Sequence, residues 1–361
     1  MGIEPLTDHC QRENGLGSLN VGVIGAGKMG LLHAGIFNSA THSRLISIAE
    51  KGPLVSRALR SLLPHVRVYN DYSEMLDNEA LDVVVICTPV FLHKSMVESA
   101  LERRKHVLVE KPLAMDALQC QSILERIENQ KTMVAYCRRF MPTYQHLKRI
   151  IDSGDLGPPS SYMAHLFVSQ VFSQLSGWQY DVGRSGGGVM MDLGCHAIDL
   201  LHYLFGDIVS VNSRGFSQYS NAIEDFVSSD LESSDNLRGH LDLSWSVKGF
   251  RVPELKLIVD FENGVITVTE KYIDITSKVD GRLVSKGRNL RFRQELAVSV
   301  PINIGGPEYT IEDMDFLDCI LNDREPLCNF YESSKVNAVI DAGYSSMSSG
   351  QSRIVEYPRR R

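Results

Sequence analysis

The sequence predicts an α/β fold with two parts, an N-terminal doubly wound parallel sheet and a C-terminal α+β domain with a mostly antiparallel open sheet. Three observations support this prediction. A β-branched strand runs into a glycine-rich turn at residues 20–30. Strand and helix patterns then alternate up to about residue 137, and beyond it strands follow one another without intervening helices. We therefore expect a flexible leader at residues 1–18, one domain at 19–137 and a second at 138–361.

A glycine-rich turn, GAGKMG, joins the first predicted strand to the first predicted helix. Gly25 permits the tight turn, Gly27 lets the backbone approach a pyrophosphate, and Gly30 lets the helix pack on the strand. Lys28 and Met29 begin the helix, whose free N–H groups point at the phosphates. Glycines also mark ordinary turns, but in this strand–turn–helix context the motif predicts a Rossmann dinucleotide site.

A carboxylate follows the second predicted strand. Glu50 lies about 20 residues after the last glycine of the turn, where this fold places the carboxylate that binds the adenosine ribose hydroxyls. A carboxylate there repels the extra phosphate of NADP and favours NAD, although the neighbouring Lys51 softens this preference and leaves NADP possible. The alternative is that both residues are solvated at the end of a strand.

Composition narrows the class of protein. The chain has 361 residues, of which 43% are hydrophobic, enough for two cores. A net charge of -7 argues against nucleic acid or an anionic membrane as the main partner, and no apolar run reaches the roughly 18 residues that span a bilayer. The N-terminal segment lacks the features of a signal peptide. The seven cysteines are scattered without a CxxC pair, so we expect free thiols, a cytoplasmic location and no metal site.

Two further strands of the first domain end in polar residues. The continuously β-branched run LDVVVICTP is typical of a central parallel strand and ends at Thr88 and Pro89. The next strand, HVLVEKP, ends at Glu110 and Lys111. The carboxyl ends of parallel strands lie at the edge of the sheet where ligands bind. We therefore expect the catalytic residues at the ends of these two strands.

In the second part, one hairpin signal is Asn263-Gly264. Helices are predicted at residues 142–153, 188–205, 311–321 and 332–346, and strands at 161–169, 209–217, 239–247, 254–261 and 265–270. The helix at 188–205 is expected to cover one face of the sheet, and the other face is a candidate oligomer interface.

Lys111 is the first candidate for chemistry. Pro112 keeps it out of helical geometry and so fixes where its ammonium points. Beside a cationic nicotinamide and partly shielded from water, the pKa of this lysine would fall toward a value useful in acid–base catalysis. The alternative is a structural ion pair with Glu110.

The segment SGGGVMMDLGCHAIDLLHYLFG predicts a largely buried helix. At helical spacing Asp192, His196, Asp199 and Tyr203 share one stripe, and apolar residues cover most of the rest. Two carboxylates and an imidazole there cost several kcal/mol unless the stripe faces partners or a wet cavity. We therefore expect Asp192 and His196 to reach a common substrate, with room left by the glycines at 186–188. A satisfied core pair is one alternative, and a metal site, which lacks further ligands, is another.

The ordered set of motifs resembles the glucose-fructose oxidoreductase and inositol dehydrogenase family (Gfo/Idh/MocA), from about residue 19 to residue 355. The shared segments are GAGKMG at 25–30, TPVFLH at 88–93, EKP at 110–112, RRFMP at 138–142, Trp178 followed by Asp181, and SGGGVMMDLGCHAID. The resemblance implies a catalytic trio formed by the lysine of EKP and the aspartate and histidine of D-x-x-x-H, which are Lys111, Asp192 and His196 here. It also implies a Lys–Pro bond that is often cis.

The resemblance also suggests which residues contact ligands. Besides Gly25, Gly27, Lys28, Met29, Gly30 and Glu50, the implied cofactor contacts are Thr88, Pro89, His93, Glu110 and Lys111. Weaker candidates for the substrate pocket are Arg138, Arg139, His93, Trp178 and Tyr203, and the alternative for each of these five is a structural role. The chain departs from the family at Val90, where Asn is usual, and at Glu50, where Asp is common. Neither departure touches the trio.

The function expected from this resemblance is reversible hydride transfer between NAD, or NADP, and a secondary hydroxyl of a sugar, cyclitol or nucleotide-sugar. In this hypothesis His196 is the base, Lys111 stabilises the alkoxide, and Asp192 orients the imidazole or a substrate hydroxyl. One alternative is a glycosidase that oxidises its substrate transiently with bound NAD, and another is a non-enzymatic NAD-binding sensor. A homodimer or homotetramer through the C-terminal sheet is expected, with no nucleic acid or membrane partner.

Overall fold

The computed structural model describes residues 17–360, apart from residues 174, 221 and 222. The predicted leader at residues 1–18 lies outside the described residues except for Gly17 and Ser18, which precede the first strand.

The first lobe is built on a parallel sheet with the strand order β3-β2-β1-β4-β5-β6. The strands are β1 (Leu19–Ile24), β2 (Ser43–Ala49), β3 (Arg67–Tyr69), β4 (Val83–Ile86), β5 (His106–Glu110) and β6 (Thr132–Ala135). The connecting helices are α1 (Lys28–Ser39), α2 (Pro53–Leu62), α3 (Tyr72–Asn78), α4 (His93–Glu102) and α5 (Ala117–Leu124). Every residue of β4 is buried, as expected for a strand covered on both faces. The predicted doubly wound sheet is confirmed.

The second lobe is built on a mostly antiparallel sheet with the order β14-β13-β12-β11-β7-β10-β9-β8-β15. Its strands are β7 (Pro159–Phe167), β8 (Ile208–Phe216), β9 (Phe226–Ser233), β10 (Arg238–Ser244), β11 (Glu254–Phe261), β12 (Gly264–Val268), β13 (Tyr272–Ser277), β14 (Gly287–Phe292) and β15 (Arg353–Ile354). Among the described strands of this second sheet, only β7 and β10 pair in parallel. The predicted open antiparallel sheet is therefore confirmed.

The helices of the second lobe cover one face of this sheet. They are α6 (Pro142–Ser153), α7 (Val182–Ser185), α8 (Cys195–Phe205), α9 (Arg293–Leu296), α10 (Pro307–Leu321) and α11 (Phe330–Ser349). Along β7, Tyr162, Ala164 and Leu166 are buried beneath the helices, whereas Met163 between them is exposed on the opposite face. The sheet is thus apolar toward the helices and open on its other side.

The two closing helices tie the lobes together. Helix α10 packs on α1 of the first lobe, and α11 packs on α5, β6, α8 and β8. The N–H of Val134 in the edge strand β6 donates to the carbonyl of Cys328 (2.9 Å), and the amide of Asn337 in α11 donates to the carbonyl of Ala114 (2.7 Å). None of the helices in the described part of the chain is long and apolar enough to cross a membrane.

Candidate active site

The glycine-rich turn has the geometry that a pyrophosphate requires. Gly25 adopts φ 92°, and a Cβ atom there would lie 2.6 Å from the carbonyl oxygen of Cys87. At Gly30 a Cβ would lie 1.9 Å from the carbonyl of Gly25, so helix and strand pack as closely as glycine allows. A Cβ at Gly27, by contrast, would meet nothing within 4 Å. This open cradle at the start of α1 fits a dinucleotide phosphate group.

Glu50 follows β2 and braces this turn. One carboxylate oxygen accepts the N–H of Ala26 (2.8 Å) and the other accepts the N–H of Gly52 (2.6 Å). The side chain is half-buried at the edge of the open cradle. Its predicted contact with a ribose remains a prediction.

His93 lies behind the site and not in it. Its ring is buried, with Nδ1 2.8 Å from the carbonyl oxygen of Pro112 and Nε2 2.8 Å from that of Thr88. Burial lowers the pKa of this imidazole below its ordinary value. A neutral ring donates to one of these two carbonyls and only lies close to the other. The side chain is 1% exposed, which leaves it no surface for the predicted cofactor contact. His93 instead holds the Thr88-Pro89 turn against the turn that carries Lys111.

Lys111 reaches across to the second lobe. The Lys111–Pro112 bond is cis. Its Nζ atom donates to the Asp192 carboxylate (2.8 Å) and to the Asp192 carbonyl (3.0 Å). Burial acts to lower the pKa of this ammonium, but the Asp192 charge outweighs burial and raises the pKa above its ordinary value. The expected lowering of this pKa applies to a lysine beside bound nicotinamide and stays a prediction. The alternative pair with Glu110 does not form, since that side chain contacts His33 and the Lys111 N–H.

The predicted continuous helix at 188–205 begins differently. A π turn spans Met190–Gly194, and α8 begins only at Cys195. Because a π turn is wider than an α turn, positions four apart no longer share one face. Asp192 accordingly faces Lys111 and is not hydrogen-bonded to His196.

The glycines at 186–188 serve packing within the protein. A Cβ at Gly187 would lie 1.8 Å from the hydroxyl of Tyr344, and one at Gly188 would lie 2.3 Å from the carbonyl of Glu224. The Glu224 carboxylate also accepts the N–H groups of Gly188 (3.0 Å) and Met190 (3.0 Å) at the start of the π turn. The prediction that these glycines leave room for substrate is wrong, because protein atoms fill that space. Sequence reasoning also missed Glu224 and Tyr344, which lie far away in the chain and carry no local motif.

The rest of the polar stripe is structural. Asp199 is buried and accepts two hydrogen bonds from the Arg139 guanidinium (2.7 and 2.9 Å). Tyr203 lies under the cations of Arg139 and Lys148, with 5.3 Å and 5.8 Å to its ring centre. Tyr203 does not line the cavity beside His196. Tyr203 therefore packs against the buried Arg139–Asp199 ion pair and not against the cavity where its substrate contact was predicted. Arg139, another predicted pocket residue, is held in the same ion pair.

His196 lies on the wall of a cavity of about 870 Å³. Burial, and then the charges of Lys111 and Arg138, hold the pKa of this imidazole well below its ordinary value of 6.5. The ring is therefore neutral at pH 7. Its Nδ1 atom is buried and has no hydrogen-bond partner among the residues described.

Arg138 shares this cavity wall. Its Nε atom lies 3.4 Å from the Glu270 carboxylate. The remaining lining residues are Cys137, Met141, Leu193, Val252, Pro253, Lys271, Tyr272, Phe292, Arg293, Gln294, Gly305, Glu308 and Tyr309. Trp178 is not among them and packs edge-to-face on Phe91 at 6.3 Å, beside the Thr88-Pro89 turn.

Sequence reasoning also missed a cluster of a histidine and several carboxylates where the two lobes meet. His33 on α1 lies 2.8 Å from Asp313 on α10 and 3.3 Å from Glu110 at the end of β5. Among the described residues, His33, Glu312 and Asp313 have potential metal-ligand atoms within 4.8 Å of one another. A histidine inside the otherwise apolar segment LLHAGIF was the one available sequence signal.

Comparison with known proteins matches both lobes to one family. Residues 19–137 match the GFO_IDH_MocA model, described as an oxidoreductase family with an NAD-binding Rossmann fold, and residues 144–267 match the GFO/IDH/MocA C-terminal domain. The chain is 30% identical over 206 residues to scyllo-inositol 2-dehydrogenase (NAD(+)) of Bacillus subtilis, covering 54% of this chain and 56% of that protein. It is 24% identical over 337 residues to D-apiose dehydrogenase of Paraburkholderia graminis, covering 91% and 88%. For the inositol dehydrogenases of Bacillus subtilis and Rhizobium meliloti, the matched region spans 56% and 62% of the length of those proteins.

Among solved structures, levoglucosan dehydrogenase in complex with NADH superposes with a TM-score of 0.85 at 22% identity. The superposition covers 94% of this chain and 100% of that chain. At this identity the likeness shows a common fold.

Proposed function

Because the chain belongs to the GFO/IDH/MocA oxidoreductase family, we propose that it is an NAD-dependent dehydrogenase acting on a secondary hydroxyl of a sugar or cyclitol. One observation carries this proposal. The Lys111 ammonium from the first lobe meets Asp192 of the second lobe at 2.8 Å, and His196 lies on the next turn of the chain. The Lys111 charge also acts on His196, which supports the proposal that the two lobes present a cation and a neutral imidazole to one substrate.

The cradle formed by Gly25, Gly27 and Gly30 fits the pyrophosphate of NAD, and Glu50 beside it is proposed to select NAD over NADP. When bound, the nicotinamide supplies the hydride acceptor or donor. The protein contributes binding, orientation and charge.

Lys111 is proposed to stabilise the oxygen of the reacting carbinol as it becomes an alkoxide. An ammonium whose pKa is raised stays charged through the reaction. Donors aimed at a developing oxyanion are worth about 10²- to 10³-fold in kcat. Asp192 holds the ammonium in place, a role that differs from the orientation of His196 expected from the sequence.

His196 is proposed to accept the hydroxyl proton. A neutral imidazole is the form that can act as a base, and burial together with nearby cations keeps it neutral. Positioned general bases contribute about 10²- to 10⁴-fold. Arg138 on the same cavity wall is proposed to hydrogen-bond another substrate oxygen.

The substrate class follows from the relatives, whose names specify inositol, levoglucosan and D-apiose. We test it by mixing the purified protein with NAD or NADP and a panel of cyclitols, free sugars, anhydrosugars and UDP-sugars, and following the absorbance of reduced nicotinamide. Net NADH formation with a cyclitol or sugar supports the proposal. Cleavage of a glycoside without net NADH would instead indicate the glycosidase, and tight NAD binding without turnover of any compound would indicate a sensor.

We also propose that the open face of the second sheet forms a homo-oligomer interface. Its central strand, β7, presents Met163 with 54% exposure, and Val265 on β12 (40%) and Phe216 on β8 (56%) lie exposed on other strands of the sheet. Apolar side chains spread across a wide sheet face favour pairing with a second copy.

A further inference from the structure

His33 occupies an unusual place for an ionisable side chain. It lies on α1, one turn after the glycine cradle, and has no exposed surface. Its Nδ1 atom lies 2.8 and 2.9 Å from the two oxygens of the Asp313 carboxylate, and its Nε2 atom lies 3.3 Å from Glu110. The imidazole therefore bridges the C-terminal helix α10 and the end of β5.

Both ring nitrogens of His33 lie within hydrogen-bond distance of a carboxylate. A neutral imidazole can donate only one hydrogen bond, whereas an imidazolium donates to both carboxylates. Burial acts to lower the pKa of His33, but Asp313 outweighs burial and raises it well above its ordinary value. Burial, and then the Asp313 charge, raise the pKa of the nearby Glu312 well above its ordinary value.

The bridge leads directly to the proposed catalytic lysine. The second oxygen of Glu110 accepts the backbone N–H of Lys111 at 3.2 Å. On the other side of the same turn, the Pro112 carbonyl contacts His93 at 2.8 Å. Two buried imidazoles therefore hold the turn from both sides, and His33 links it to α10 of the second lobe.

We propose that His33 is a positioning residue for hydride transfer, which fixes the Lys111 turn through the Glu110 carboxylate and anchors it to Asp313. This inference rests on the proposed function. A displacement of reacting groups by about 1 Å costs about 100-fold in rate. Removing the imidazolium also leaves two buried carboxylates without their shared cation, so they repel each other and move apart.

The test compares His33→Phe and Asp313→Asn with a matched control, Asp315→Asn. Asp315 is a buried carboxylate on the same helix, but it pairs with Arg324 (2.9 Å) on the side away from the turn. We expect kcat to fall about 100-fold in His33→Phe and less in Asp313→Asn, while Kd for NADH changes less than about threefold. Asp315→Asn is expected to keep kcat. His33→Gln, whose amide can serve one carboxylate, should recover part of the loss.

A double-mutant cycle and a spectroscopic measurement complete the test. In a Glu110→Gln background, His33→Phe should have little further effect on kcat, because both changes break the same link. Reductive methylation with carbon-13 formaldehyde gives an NMR signal for Lys111, assigned by its loss in Lys111→Met. The chemical shift of that signal should change in His33→Phe, because the turn that carries Lys111 moves, and should stay unchanged in Asp315→Asn, whether or not a substrate has been found.

Four results would overturn the inference: a folded His33→Phe protein with wild-type kcat, additive effects with Glu110→Gln, an unchanged Lys111 signal, or one equivalent of divalent metal lost on changing His33. Failure of the proposed function is a separate result, since it appears in the unaltered protein as an absence of turnover with every compound of the panel.

Discussion

Replacing Lys111 with methionine removes the ammonium and keeps most of the side-chain volume. The lost hydrogen bond is the one proposed for the developing alkoxide, and such a donor is worth about 10²- to 10³-fold in kcat, or about 2.7 to 4 kcal/mol. The stability cost is small by comparison. The Asp192 carboxylate is 46% exposed, so the ion pair is worth less than about 1 kcal/mol to folding.

The same change should alter the pH profile. The Lys111 charge is one of the causes, after burial, that lower the pKa of His196. Without the ammonium this pKa rises, so His196 becomes protonated at a higher pH. Because a protonated imidazole cannot accept the substrate proton, the acid limb of kcat/KM should move upward in pH.

Steady-state kinetics across pH, together with NADH binding followed by fluorescence, measure both effects. Lys105→Met is a matched control, since Lys105 precedes the same strand β5 at its opposite end and donates to the Leu81 carbonyl (2.9 Å). We expect Lys105→Met to keep both kcat and the acid limb. An equal loss of NADH binding and turnover in Lys111→Met, or an acid limb that does not move, would refute the role assigned to this lysine.

Three other substitutions test separate parts of the structure. Glu50→Gln keeps a hydrogen-bond acceptor for the glycine turn but removes the negative charge. The preference for NAD over NADP in kcat/KM should therefore fall about tenfold, because a repulsion of about 1 to 2 kcal/mol between this charge and the extra phosphate disappears. An unchanged ratio of the two kcat/KM values would exclude Glu50 from the ribose site. Burial raises the pKa of Asp341 to about 6, so its charged form opposes folding above that pH. Asp341→Asn should stabilise the protein by about 1 to 2 kcal/mol at pH 8, after allowance for partial exposure, and by nothing below about pH 4, as measured by urea unfolding; equal stabilisation at both pH values would contradict this. Met163→Arg should convert the oligomer to monomers in light scattering after size exclusion, and an unchanged mass would count against the open sheet face as the interface.

Local sequence signals were enough for the first lobe because each element there carries its own pattern. The β-branched runs, the glycine turn and Asp71, which caps α3 through the N–H of Ser73 (2.7 Å), are all local. The two segments that supply Lys111 and Asp192 could also be found, since each contains a short motif. The prediction that these two segments meet in one site came from the family resemblance, because the sequence alone does not reveal a contact between them.

The second lobe was harder because its polar residues satisfy one another across long distances. Strand β9 was missed since serines occupy two of its four buried positions, where Ser229 hydrogen-bonds Ser213 (2.7 Å). The helical stripe was interpreted as one wet face, but Asp199 serves the buried Arg139 pair. The partner of a buried charge cannot be read from helical periodicity, and neither can the π turn that reorients Asp192.

Helix α11 also constrains how the chain is made. The edge strand β6 hydrogen-bonds the segment at Cys328 and packs against α11. This helix ends about 200 residues later in the chain than β6. At synthesis rates of about 5 to 20 residues per second, that delay is about 10 to 40 s. During this interval the nascent parallel sheet has an unprotected border that invites pairing with other chains. A chaperone that shields exposed strand borders should therefore improve the yield of this protein more than one that acts after release from the ribosome.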